Sequence, residues 1–134
     1  MSASKCRLNI GGYVAPGGRP YQEDRIVLYN NFRKIISEVN NEYNENEVVV
    51  DATSEPLCSY FGCFDGHGGS IVSQFLFENF HKELAKHSKL SFQPMASIQD
   101  VWKDIENKAY NHCVSQIGKD TARGLPGAGS TGIC

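Results

Sequence analysis

A chain of 134 residues, 40% hydrophobic and 21% charged, has room for one buried core, and a single domain over 1–134 is expected. A formal charge of −2 gives no electrostatic reason to expect nucleic acid or an anionic membrane as partner. No segment has the long apolar run of a membrane span, and "MSASKCRLNI" does not look like a secretory leader, so a cytoplasmic or nuclear location is expected. The five cysteines are odd in number and form no Cys-x-x-Cys pair, which fits free thiols in a reducing compartment. Cys58, Cys63 and a histidine would make only part of a zinc site, because a second ligand pair is missing.

In chain order, "CRLNIGGYV" and "EDRIVLYN" have the β-branched and apolar content of strands. "APGGRPYQ" between them carries the proline and glycine of an ordered turn. From Ser37 to Glu47 there are four glutamates, several asparagines and no cation, the composition of a solvated loop. "EVVVD" suggests a short strand, and "CSYFGCFD" a clearer one whose consecutive apolar residues predict a strand covered on both faces. Val72, Leu76, Phe80 and Leu84 recur every four residues and predict a helix from about Ser70 to Lys86. A second helix is predicted from near Ser97, with Asp100 three residues on and Val101, Trp102, Ile105, Ala109 and Ile117 as its apolar face. "GLPGAGSTGIC" is a glycine-rich turn into a further short strand, which would need neighbours to be stable, so an interrupted α+β domain is expected.

The chemistry gathers at strand ends. Glu23 and Asp24 open the second strand, Asp65 closes a later one, and antiparallel pairing would bring these ends together. Three carboxylates on one rim would raise one another's pKa unless a divalent cation such as Mg²⁺ joined them. Glycines after Asp65 would let backbone carbonyls take part. Taken singly, each residue has a plainer reading: Asp65 as a helix cap, Glu23 and Asp24 as surface charge, His67 as a solvated histidine.

Together, "RPYQEDR" and "FGCFDGHGGS" resemble two motifs of the metal-dependent PP2C-type (PPM) serine/threonine phosphatases. In that family an arginine precedes a Glu-Asp pair by four residues, and an apolar strand ends in Asp-Gly-His-Gly. "GAGSTGIC" is similar to the family's Gly-Ser-Thr turn into its next strand. The resemblance implies a PP2C-like α-β-β-α sandwich, incomplete here, and hydrolysis of phosphoserine and phosphothreonine in protein substrates. It implies that Asp65 bridges two Mg²⁺ or Mn²⁺ ions, with Glu23 and the Gly66 carbonyl on one of them. Asp24 would orient metal-bound water, and Arg19 would grip the phosphate with its planar fork. A metal-bridging hydroxide would be the nucleophile, and His67 would protonate the leaving oxygen.

The departures matter equally. The family adds aspartates in Asp-Gly and Asp-Asn motifs on later strands, whereas after His67 this chain has only Asp100, Asp104 and Asp120, none followed by Gly or Asn. The isolated chain is therefore expected to be inactive or weakly active and marginally stable, with a non-catalytic phosphatase-like binding module, or a fragment of a longer enzyme, as the alternative. A second enzyme reading takes Ala128-Gly-Ser130-Thr-Gly132 as a near variant of a nucleophile elbow, but such an elbow needs a helix after its serine.

Overall fold

The computed structural model describes residues 8–41, 58–116 and 127–134. The elements are β1 (Arg25–Tyr29), α1 (Phe32–Asn41), β2 (Tyr60–His67), α2 (Ile71–Lys86), α3 (Pro94–Gln116) and β3 (Gly129–Ile133). The strands form one antiparallel sheet in the order β1-β2-β3. Arg25 to Tyr29 pair with Phe64 back to Tyr60, and Cys63 to His67 pair with Ile133 back to Gly129. The fold is thus α+β, with a three-stranded sheet in one layer and helices in another.

The two layers meet through aromatic packing. α2 lies on the sheet and carries α1 and α3 beside it. Phe64 of β2 and Phe80 of α2 are fully buried with ring centroids 5.9 Å apart, and Trp102 of α3 lies 5.3 Å from Phe80. Val27, Leu76, Leu84, Val101 and Ile105 fill the space around them. Phe32 opens α1 by stacking on Tyr60 at 5.0 Å, and its amide donates to the Cys58 carbonyl at 2.7 Å.

Several elements depart from the sequence pattern. Residues 8–14 form no strand, for Gly11 and Gly12 give a ladder nothing to pack with. The segment instead runs against β1: a Cβ at Gly12 would lie 3.0 Å from the Leu28 Cδ1. The polar stretch from Ser37 begins as helix, because Phe32, Ile36 and Val39 line one face of α1 and two of them are buried. The rest of that stretch, "EVVVD" and Ile117 lie outside the described residues. α3 starts at Pro94, three residues before Ser97, since proline suits the first helical position; the Ser97 hydroxyl donates to the Gln93 carbonyl.

β2 is a fourth departure, and it bears most on function. Tyr60, Gly62, Phe64 and Gly66 are buried while Phe61, Cys63, Asp65 and His67 are exposed, so among the described residues only one face of the strand is covered. The second predicted helix and the third strand otherwise fall where expected, as does α2. No described helix is long and apolar enough to cross a membrane.

Candidate active site

Antiparallel pairing does place the start of β1 at the end of β2. Arg25 pairs with Phe64, so the residues next along are Asp24 and Asp65, then Glu23 and Gly66. Alternation then sorts these groups by face. Asp65 and His67 leave the sheet on its exposed face, two residues apart, whereas Glu23 and Gly66 are buried on the side of α2. Asp24 is half-buried.

Glu23 is the best anchored of the set. Its side chain is only 9% exposed, and Oε1 accepts a 2.5 Å hydrogen bond from the Gly69 amide just before α2. Oε2 lies 3.5 Å from the Arg19 guanidinium, whose own side chain is 71% exposed. The carboxylate therefore stands where the unpaired N–H groups of a helix favour negative charge. Asp65 does not cap α2: the N-cap position belongs to Ser70, whose side chain makes no capping bond.

Glycines make this crowding possible. A Cβ at Gly66 would come within 2.7 Å of Ser73 Oγ and press on the Glu23 carbonyl oxygen. Gly68 and Gly69 have φ of 66° and 114°, left-handed values that favour glycine and let the chain turn from β2 into α2. His67 lies over Gly129 of β3, where a Cβ would meet the ring Cε1 at 2.7 Å.

The groups so placed supply an exposed cation at Arg19, two carboxylates near the exposed face and an imidazole beside one of them. Among the described residues no three His, Cys, Asp or Glu side chains are close enough to hold a metal ion. Glu23 is turned into the helix side and Asp65 outward, so the described groups do not by themselves make a metal site. Asp100 and Asp104 lie on α3, where Asp100 is 3.7 Å from His87 and Asp104 is exposed; Asp120 is outside the described residues. Ser130 sits inside β3, paired opposite Gly66, and donates to the Asp65 and Thr131 carbonyls; it is not at a strand-to-helix turn, the place a nucleophile elbow requires. The described cysteines, Cys58, Cys63, Cys113 and Cys134, are free.

No protein-family model matches the chain. Curated relatives do. A probable protein phosphatase 2C 59 from Arabidopsis thaliana is 31% identical over 63% of this chain and 25% of its own length. A probable protein phosphatase 2C 52 from Oryza sativa is 26% identical over 76% of the chain and 20% of its own. The integrin-linked kinase-associated serine/threonine phosphatase 2C of Mus musculus is 27% identical over 98% of the chain and 31% of its own. These similarities, at modest identity over much of the chain, support a partial protein phosphatase 2C domain, and the chain spans between 20% and 31% of these relatives' lengths.

Proposed function

We propose that this chain is part of the catalytic domain of a metal-dependent serine/threonine protein phosphatase, with the sheet forming one half of a PP2C-like α-β-β-α sandwich. The observation that carries the reading is the meeting of the two motifs: the Glu23–Asp24 end of β1 lies beside the Asp65–His67 end of β2. The uncovered face supports the sandwich, because Phe61 and Leu28 are 40% and 38% exposed on it and a second layer would bury them.

In this reading Arg19 binds the phosphate of phosphoserine or phosphothreonine; its exposure leaves it free to swing from Glu23 to the ligand. His67 donates a proton to the departing serine or threonine oxygen as the general acid. Asp24 accepts a hydrogen bond from the attacking water. Asp65 and the Gly66 carbonyl, with Glu23 once its carboxylate turned from the Gly69 amide, would contribute to a ligand set for Mg²⁺ or Mn²⁺ completed by carboxylates beyond those described. A divalent ion there would supply an acidified water at neutral pH.

The lack of a three-ligand cluster among the described residues favours a chain that is inactive or nearly inactive alone. It also keeps open a second reading, a non-catalytic phosphatase-like module that binds partners. A phosphothreonine peptide assay on the 134-residue chain across a Mn²⁺ titration tests this. Little or no turnover is expected, and robust Mn²⁺-dependent hydrolysis would overturn the predicted inactivity. If the proposed roles hold, the same assay on a longer form that completes the ligand set loses turnover in Asp65→Asn and His67→Ala. Unchanged turnover in both would sink the catalytic reading.

A further inference from the structure

Three successive backbone carbonyls at the mouth of β1 are all held by side chains. Arg25 Nη1 donates to the Gln22 carbonyl at 3.0 Å and to the Asp24 carbonyl at 2.8 Å. The Glu23 carbonyl between them accepts from Ser73 Oγ on α2, and that hydroxyl also lies 3.1 Å from the Ser70 carbonyl. Arg25 is in turn fixed by its Nε, which donates to Gln74 Oε1 on α2 at 2.6 Å. The Asp24 amide completes the set by donating to Gln22 Oε1 at 3.2 Å.

We infer that Ser73, Arg25 and Gln74 form a clamp that positions the Glu23–Asp24 pair, fixing the backbone on both sides of each carboxylate from the first turn of α2. The inference rests on the functional reading above for its purpose but not for its geometry. Ordinary strand ends leave such carbonyls to a ladder partner or to water. Here the ladder's last pair is Arg25 with Phe64, so residues 22–24 lie beyond it and need other partners. Ser73 is fully buried and Gly66 opposite it has no room for a Cβ, so strand, helix and carbonyl meet at van der Waals distance. The Glu23 carboxylate then adds its own bond to the Gly69 amide. The backbone of Glu23 is thus tied to α2 and its side chain to the turn just before that helix, and its carboxylate has little freedom to wander. Neighbours that orient functional carboxylates in this way affect a site as strongly as the groups that touch the ligand.

The test uses the whole 134-residue chain with Ser73→Ala, which removes a donor and adds no bulk, and Gln74→Ala, which releases Arg25 from outside the core. Amide hydrogen exchange is followed by NMR at Asp24 and Gly69, with Phe80 and Leu84 in the middle of α2 as references. Exchange at Asp24 and Gly69 is expected to quicken about tenfold in Ser73→Ala while the references hold, the mark of local opening. Gln74→Ala is expected to quicken Asp24 alone. Arg25→Lys, which keeps one donor, is expected to lie between wild type and Arg25→Met at Asp24. Exchange that rises equally at the references, or at neither Asp24 nor Gly69, overturns the clamp. A parallel titration with Mn²⁺ alone reads paramagnetic broadening of the Asp24 and Asp65 signals. Its absence in wild type counts against the metal reading while leaving exchange to decide the clamp. Where wild type binds, an affinity about tenfold weaker in Ser73→Ala is expected, and equal affinity overturns the positioning role.

Discussion

The two faces of the sheet have similar apolar content and different fates. Toward the helices, Phe64 is fully buried against Phe80, and around it lie Val27, Tyr60 and the α2 stripe. Toward the other side, Phe61 on the same strand is 40% exposed, with Leu28 of β1 and Ile133 of β3 similarly open. Tyr13, Ile26 and Cys63 join these residues around a shallow concavity of about 350 Å³. The covered face holds the fold together, while the open face carries Asp65 and His67 at its rim. Among the described sheet residues, the exposed side chains, Leu28, Phe61, Cys63, Asp65, His67, Thr131 and Ile133, lie on the open face. Glu23 and Asp24 connect the two, because the clamp on the covered side sets where their carboxylates can go.

Truncating one aromatic on each face gives the widest contrast. Phe64→Ala leaves a cavity among fully packed neighbours and is expected to cost about 3–5 kcal/mol, enough to unfold a marginal domain. Phe61→Ala on the open face is expected to cost less than about 1 kcal/mol, since much of its ring is already in water. Urea denaturation monitored by the fluorescence of Trp102 measures both. Equal losses would mean that the open face is covered in solution, which would itself reveal an occupant.

Gly66→Ala sharpens the comparison at the point where the faces meet. The new methyl would strike Ser73 Oγ and the Glu23 carbonyl, a backbone atom that cannot swing aside. Overpacking of this kind is expected to cost about 1–3 kcal/mol. By contrast, Gly11→Ala meets nothing within 4 Å and is expected to be nearly silent. If Gly66→Ala matched Gly11→Ala in thermal midpoint, the close approach of strand and helix would not exist in solution.

How far these features were legible follows from where their causes lie. α2 was readable because its partners recur every four residues on one segment, and the two motifs were readable because each is short and contiguous. α1 was hidden: its apolar residues are sparse within a run of asparagine and glutamate, and composition outweighed the spacing of Phe32, Ile36 and Val39. The alternation of β2 was hidden for the opposite reason. Phe61 and Cys63 are as apolar as their covered neighbours, so the sequence showed no period of two. The tie between Glu23 and Gly69 joins residues 46 apart, and Ser73 is an unremarked polar residue until the fold sets it beneath Gly66. Local pattern finds the chemical groups, but which carboxylate turns inward depends on the register of two distant strands.

The smallest predicted effect concerns a histidine on the covered side of the sheet. His81 of α2 is buried, lies with its ring tilted 42° and 5.1 Å from the Tyr29 ring, and has Nε2 at 3.2 Å from the Tyr29 hydroxyl. Burial, with a smaller contribution from the positive charge of Lys82, holds its pKa below the ordinary 6.5. The unfolded chain therefore binds a proton more readily than the folded one over the window below that value. Stability contributed by neutral His81 is complete above pH 6.5 and is lost as the pH falls through the lower folded value. The thermal midpoint is thus expected to drop between pH 7 and pH 5, and His81→Gln, which cannot take up the charge, is expected to flatten that drop at some cost at neutral pH. A drop of the same size in His81→Gln would mean that groups other than the buried imidazole set the acid limit of this fold.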